Sequence, residues 1–366
     1  MTKKPRILFV VEYYYPHIGG VEFLFQSIAE YLASEGYTVG VVTARVNNTP
    51  RYEVLNGVTI HRLSVPKRGS RYFFTFFGIF GVLPIARKYD CIHTTTYNAA
   101  VPGSLAGFLL RKRVILTVHE VWINLWEKIP GISSKTKNML RMFEKGILGM
   151  PYSEYVSVSE ATQRDLLSYK PQLKPKSQVI YNGINYDALP KPQTVTKNHK
   201  AQKTLLYFGR PGVSKGVENL ITACNATTNK NLRIRLVVSK DENARYEQLC
   251  STITNDLISM EPSLPRNGLF MAIQEADYVI IPSLSEGFGY SALEASIYAQ
   301  KLICSNQGSL PEVVFGDVLF YNPWQPEELT TILNTLESAP FTTIKPKFFP
   351  IAEAVKAYST LYESAT

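Results

Sequence analysis

The stretch RILFVVEYYYPHIGGVEFLFQSIAEYLASEGYTVGVVTA, residues 6–44, contains a complete structural unit. RILFVVEY is rich in β-branched and aromatic residues and reads as a buried strand. In PHIGGVEFLFQSIAEYLASEGY the apolar residues Phe23, Phe25, Ile28 and Leu32 recur at helical spacing, and Gly36 marks the end of that helix. TVGVVTA then supplies a second strand. Strand, helix and strand in that order make a right-handed βαβ unit, so a parallel sheet flanked by helices is predicted.

The same alternation runs outward from this unit. CIHTTT, RVILTVHE, YVSVS and QVIYNG read as further strands of a first domain, residues 1–190. KPQTVTKNHKAQK, residues 191–203, has little apolar content beyond Val195 and Ala201 and reads as a linker. TLLYFG begins a second domain, residues 204–348, continued by the helix VENLITACNAT, the strand RIRLVVS, the helix ARYEQLCSTI, the strand YVIIPS, the helix SALEASIYA and the strands KLICS and VLFYN. With 366 residues, 45% of them hydrophobic, the chain suffices for two such domains. The predicted fold class is α/β, with two Rossmann-like domains facing a central cleft and ligands at the carboxyl ends of the strands.

Composition narrows the function classes. Cys91, Cys224, Cys250 and Cys304 are far apart with no C-x-x-C spacing, which argues against a zinc site or a disulfide framework and for reduced thiols in a cytoplasmic protein. The longest greasy stretch, Tyr72 to Ala86, contains Gly78, Gly81 and Pro84 and is too short to cross a bilayer. The charge is one-sided. Residues 1–190 hold 23 Lys and Arg against 13 Asp and Glu, whereas residues 191–366 hold 16 against 17. A positive first half suggests an anionic partner. No RNA-binding aromatic signature is present, so no nucleic acid is expected, and an anionic membrane surface is the candidate. The stretches Pro66–Pro84 and Lys135–Leu148 combine basic and apolar residues in a way that suits a peripheral position on the cytoplasmic face, although both also read as core helices with solvated faces.

Three turns have residues suited to anion chemistry. Gly19 and Gly20 follow the first strand and open the first helix, where a backbone can approach a phosphate. GRPGVSKGVENL, residues 209–220, repeats that context with Arg210 and Lys215 flanking the turn, a fork and a point charge suited to a diphosphate. Gly212 to Gly216 also matches G-x-S-x-G, but a hydrolase elbow needs a histidine after the serine, and the last of the five histidines is His199. SEGFGYSALEA, residues 285–295, places Glu286 in a glycine-rich loop and Glu294 in a helix expected to start near Tyr290 or Ser291, with the amides of residues 288–291 aimed toward an anion. His119, at the end of RVILTVHE, is expected at the rim of the cleft. There is no D-x-D, no H-E-x-x-H and no close histidine pair, so no metal site is expected.

Taken in order, P-x-x-G-G-x-E at Pro16–Glu22, T-V-H-E at Thr117–Glu120, V-S-V-S-E at Val156–Glu160, N-G-I-N at Asn182–Asn185, G-R-x-x-x-x-K-G at Gly209–Gly216, Glu-x7-Glu at Glu286–Glu294 and P-E-V-V at Pro311–Val314 resemble the large retaining glycosyltransferase family of GT-B fold, family 4 type. The resemblance covers nearly the whole chain. It implies that Arg210 and Lys215 bind the diphosphate of a nucleotide-sugar donor, that Gly19 and Gly20 close on it, and that Glu294 holds the ribose hydroxyls. It implies further that Glu286, with amides near Phe288 and Gly289 and with Tyr290 and Ser291 beside them, holds the transferred sugar, and that His119 lies beside that sugar. FFPIAEAVKAYSTLYESA resembles the family's last helix, which crosses back onto the N-terminal domain. The expected reaction is retaining, with no cofactor or required metal, from a nucleotide sugar, UDP ahead of GDP, to a glycan or lipid-linked acceptor. SKDENARYEQL and TNDLISMEPSLPRNG depart from the family pattern near the expected base site. A nucleotide-sugar hydrolase or epimerase on the same fold, and a non-catalytic basic membrane-binding protein, are the alternatives.

Overall fold

The structure is a computed structural model that describes residues 4–17, 19–66, 69–129, 131–192, 202–240 and 243–364. The chain forms two compact units, one of Met1–Asn185 with Phe349–Thr366 and one of Tyr186–Phe348. The expected linker, 191–203, falls mostly outside the described residues.

The first unit holds strands β1 (Ile7–Val10), β2 (Val39–Ala44), β3 (Tyr52–Leu55), β4 (Val58–Leu63), β5 (Cys91–Thr95), β6 (Arg113–Val118), β7 (Glu154–Ser157) and β8 (Ser177–Val179). Its helices are α1 (Gly20–Ser34), α2 (Ser70–Ala86), α3 (Ala100–Leu110), α4 (Ser134–Gly149) and α5 (Glu160–Tyr169). The strands form one sheet in the order β3-β4-β2-β1-β5-β6-β7-β8, parallel except for β3 against β4. β1 is central and buried on both faces, which explains its unbroken apolar sequence. Ile7, Phe9 and Val11 pack on one side with α1, and Leu8 and Val10 on the other with α2 and α3. Within α1 the buried face is Leu24, Phe25, Ile28, Ala29 and Leu32; Phe23, expected inside, is only half-buried.

The antiparallel pair β3–β4 is absent from the strands read in the sequence. Its signal is the dipeptide Asn56-Gly57, with φ of 49° and 80°, the left-handed pair that a two-residue hairpin needs.

The second unit holds β9 (Lys203–Gly209), β10 (Leu232–Val238), β11 (Ile258–Pro262), β12 (Tyr278–Ile281), β13 (Leu302–Ser305), β14 (Gly316–Tyr321) and β15 (Thr342–Ile344). Its helices are α6 (Val217–Ala226), α7 (Asn243–Ser251), α8 (Arg266–Glu275), α9 (Tyr290–Tyr298), α10 (Leu310–Val313) and α11 (Pro326–Asn334). The sheet order is β11-β10-β9-β12-β13-β14-β15, with only β15 antiparallel. TNDLISMEPSLPRNG, the segment that departs from the family pattern, supplies β11 and enters α8.

The last helix, α12 (Ile351–Glu363), packs on the first sheet through Val355, Tyr358 and Tyr362. His93, in the middle of β5, fixes it there: Nδ1 is 2.6 Å from the Tyr362 hydroxyl and Nε2 is 2.7 Å from Thr117 Oγ1. Burial pushes this imidazole down to about 3, so it stays neutral and both its nitrogens are satisfied. Among the described residues no helix is long and apolar enough to cross a membrane.

Candidate active site

In the second sheet the strand order reverses between β9 and β12, and this is where an open α/β sheet parts its loops into a crevice. The turn after β9 carries Arg210 and Lys215, and the loop after β12 carries Glu286. Gly216 joins the two. It has φ of 67°, and a Cβ there would fall 2.0 Å from the Pro282 carbonyl oxygen, so only glycine permits this approach. The Leu284 amide donates to the Ser214 carbonyl at 2.7 Å across the same contact.

A third loop, after β13, closes around Glu286. A Cβ on Gly308 would lie 2.3 Å from the Glu286 carbonyl oxygen, and the Ser309 amide donates to that oxygen at 3.0 Å. Glu286 is therefore held from three neighbouring strand ends. Its Oε1 accepts from Lys215 Nζ at 2.6 Å and from the Ser283 hydroxyl at 2.8 Å. It is 8% exposed, and a carboxylate this buried requires such charged and neutral donors. Ser283 is itself backed by the Ser305 hydroxyl, which donates to its carbonyl at 2.5 Å.

The other glutamate has different surroundings. Glu294 lies on the second turn of α9, half-buried, with Arg266 Nη2 at 3.4 Å on its exposed side. Burial raises its carboxyl above the ordinary carboxylate range, and Arg266 partly offsets this. α9 begins at Tyr290, with Gly289 before it at φ of 85°; of the two glycines in this loop only Gly289 takes the left-handed conformation. Phe288 is buried and meets Tyr290 edge to face at 5.2 Å, which fixes the entry to the helix whose first turn carries Ser291. Arg210 is exposed, and its carbonyl accepts from the Tyr207 hydroxyl at 3.2 Å.

In the first unit Gly19 caps α1 with extended backbone and no side-chain hydrogen bond, and Gly20 is the first residue of the helix. His119 follows β6 directly. Its carbonyl accepts from Thr162 Oγ1 at 3.3 Å, and its ring meets Phe25 at 6.2 Å. Its Nε2 is buried with no hydrogen-bond partner among the described residues. Burial pushes this imidazole down to about 4, with a small opposing pull from Glu22, so it is neutral at physiological pH.

The residues after His119 form an arrangement that the sequence did not reveal. Glu144 of α4 is buried and accepts from the Trp122 amide at 2.6 Å and from Trp126 Nε1 at 2.8 Å. The two indoles lie 5.4 Å apart. Burial outweighs both hydrogen bonds and raises the Glu144 carboxyl to about 7. Ser283, Arg266 and Glu144 have no motif of their own, since each is recruited by a fold contact rather than by local spacing. Among the described residues no group of three or more His, Cys, Asp or Glu side chains comes together.

Comparison with known proteins agrees with the two α/β units. Residues 18–188 match the Glycosyltransferase Family 4 model and residues 191–346 match Glycosyl transferases group 1. An uncharacterized glycosyltransferase of Methanocaldococcus jannaschii is 26% identical over 349 residues, 88% of this chain and 87% of its own. The GDP-mannose:cellobiosyl-diphosphopolyprenol alpha-mannosyltransferase of Xanthomonas campestris is 23% identical over 308 residues, 79% of this chain and 76% of its own. Among solved structures, sucrose-phosphate synthase from Thermosynechococcus elongatus superposes with a TM-score of 0.76 at 19% identity, covering 99% of both chains. HepE of Anabaena, in complex with UDP-glucose, superposes with a TM-score of 0.67 at 18% identity over 98% of this chain and 95% of its own. The chain is a glycosyltransferase, with two Rossmann-like domains of the GT-B class, and belongs to the family 4 type.

Proposed function

We propose that the protein is a retaining hexosyltransferase that moves a hexose or N-acetylhexosamine from a nucleotide sugar to a lipid-linked or glycan acceptor, in cell-envelope polysaccharide or glycolipid assembly. The observation that carries this reading is the Lys215–Glu286 pair at the switch point of the second sheet, which sets a cation beside a carboxylate where a sugar diphosphate would lie. Arg210 and Lys215 meet the diphosphate charge together with backbone amides, with no required metal ion. Glu286 accepts from hydroxyls of the transferred sugar, and Glu294 from the ribose.

In the transfer step the bond from the anomeric carbon to the phosphate oxygen breaks and a bond from that carbon to the acceptor oxygen forms on the same face. The acceptor's proton passes to the departing phosphate oxygen. His119, neutral and with Nε2 unengaged, serves as a hydrogen-bonding group beside the sugar rather than as a cation.

UDP is placed ahead of GDP, in line with the UDP-glucose complex of Anabaena HepE; the Xanthomonas relative, named for GDP-mannose, makes GDP the comparison arm. The diphosphopolyprenol in that relative's name supports a lipid-linked acceptor. A thermal-shift screen across UDP, GDP, ADP and their sugars selects the donor, because a ligand that binds the folded state raises its apparent stability. Incubation of that donor with and without polyprenyl-diphosphate sugar acceptors, read by NMR of the new anomeric centre, then tests the reaction. Transfer with retained configuration supports the proposal. Free sugar or epimer formed at the same rate without acceptor would establish the hydrolase or epimerase reading instead.

A further inference from the structure

We propose that α2 and α3 of the first unit form a seat for an anionic lipid bilayer. Tyr72, Phe76, Phe77 and Phe80 on α2 and Phe108 and Leu109 on α3 are between 52% and 76% exposed. On α2 they recur at positions 72, 76 and 80, with 77 beside them, which is one face of a helix. The opposite side is already used: Phe74 and Val82 are buried, Gly78 faces Pro102 of α3 and Gly81 faces Leu63. Both helices are therefore apolar all round, a pattern that suits a second apolar phase on the outer face.

The charges around that face select the phase. Neither helix contains an acidic residue, and from Ser64 to Lys112 the sequence holds seven Lys and Arg against Asp90 alone. Arg87 and Lys88 follow α2 and Arg111 follows α3, all exposed, while Asp90 is held by Arg6 at 2.7 Å. Aromatic side chains framed by cations match the boundary of an anionic leaflet. A second copy of this chain would bring like-charged rims together, which disfavours self-association through this face. The 17 residues of α2 are too few to span a bilayer, so the helix would lie in the interface.

α4, the other basic and apolar stretch, is less suited. Its Lys137 and Arg141 contact Glu127 at 3.0 Å each, and Lys145 lies over the Tyr169 ring. α2 also starts beside the site loops of its own unit: the Ser70 hydroxyl is 3.0 Å from the Tyr13 hydroxyl, and Arg71 pairs with Glu12 at 3.1 Å. A bilayer against α2 would lie next to the strand ends that carry Gly19 and His119. The link to a lipid-linked acceptor rests on the proposed function, whereas bilayer binding itself does not.

Vesicle flotation without donor or acceptor tests the surface, and so separates it from the transfer reaction. The wild-type chain should float with phosphatidylglycerol–phosphatidylcholine vesicles at about ten-fold less lipid than with phosphatidylcholine alone, and should lose that difference in high salt. F80S/F108S should need about ten-fold more lipid, and R87E/R111E should lose the anionic preference, each with an unchanged circular dichroism spectrum because all four residues are exposed. Absence of binding, equal binding to both vesicle types, or unchanged binding of F80S/F108S overturns the proposal. So does an oligomer in light scattering that F80S/F108S converts to monomer, which would assign the face to a second copy.

Discussion

Lys215 Nζ lies 2.6 Å from Glu286 Oε1, joining the turn after β9 to the loop after β12 at the point where the second sheet reverses its strand order. The two residues are 71 positions apart in sequence. Their pairing gives a buried carboxylate a charged donor, and on the proposed reading it sets a cation and a carboxylate where a sugar diphosphate would lie.

Lys215→Ala should weaken donor binding. The substitution removes a fixed cation and leaves Glu286 with the Ser283 hydroxyl as its remaining side-chain donor in this contact. A loss of about 1.5–3 kcal/mol is expected from a charged hydrogen bond of this kind, or roughly ten-fold to a hundred-fold in the Kd for the nucleoside diphosphate. Isothermal titration with UDP and GDP measures it; an unchanged Kd would remove Lys215 from the site.

Glu286→Ala should separate turnover from affinity. On the proposed reading its carboxylate meets the transferred sugar and not the nucleotide, so kcat should fall by a factor of about 100 or more while nucleotide Kd moves by less than about three-fold. Steady-state kinetics beside nucleotide titration checks the split. A comparable loss in both would place Glu286 on the diphosphate instead.

Glu294→Gln should weaken nucleotide binding without destabilising the fold at neutral pH. Burial raises this carboxyl, so the folded chain retains a proton that the unfolded chain releases, and the native glutamate costs stability as pH rises above the ordinary carboxylate range. The glutamine avoids that cost and loses only an exposed pair with Arg266, worth about 0–1 kcal/mol. Melting curves at pH 5 and pH 8 should show the variant gaining on the wild type as pH rises. A drop in Tm that grows with pH would contradict the assignment.

Glu144→Gln should alter the pH dependence of stability. Folding raises the Glu144 carboxyl to about 7, so below that value the folded chain holds a proton that the unfolded chain has lost, and stability falls as pH rises through the window. The effect amounts to about 2–3 kcal/mol between pH 5 and pH 8. Chemical denaturation across this range should show a shallower slope for the glutamine variant; identical slopes would show that the carboxyl is not shifted.

Gly216→Ala should be far more damaging than Gly36→Ala. Both glycines have positive φ, 67° and 82°, but a methyl at 216 meets the Pro282 carbonyl at 2.0 Å, whereas at 36 it meets nothing within 4 Å. The backbone term alone costs about 1 kcal/mol at each site, and the clash should add roughly 1–3 kcal/mol at 216. Tm values of the two variants provide the comparison.

The sequence by itself determined the βαβ alternation, a start of α9 near Tyr290 or Ser291, the placing of α1 before Gly36, the turns that carry Gly19, Arg210, Lys215 and Glu286, and His119 at the end of its strand. These are legible because strand and helix periods are local and because glycine is favoured where backbone turns left, as at Gly289, and needed where it also approaches another chain segment closely, as at Gly216. Tertiary structure alone decided that Lys215 pairs with Glu286, that Gly308 and Ser309 close over it, and that Glu144 holds Trp122 and Trp126. Each of these contacts joins segments whose separation along the chain carries no periodic signal. The same reason explains why α2 looked equally like a core helix and a surface helix: its residues are apolar on every side, and only packing against α3 and Leu63 shows which aromatic side chains are left facing outward.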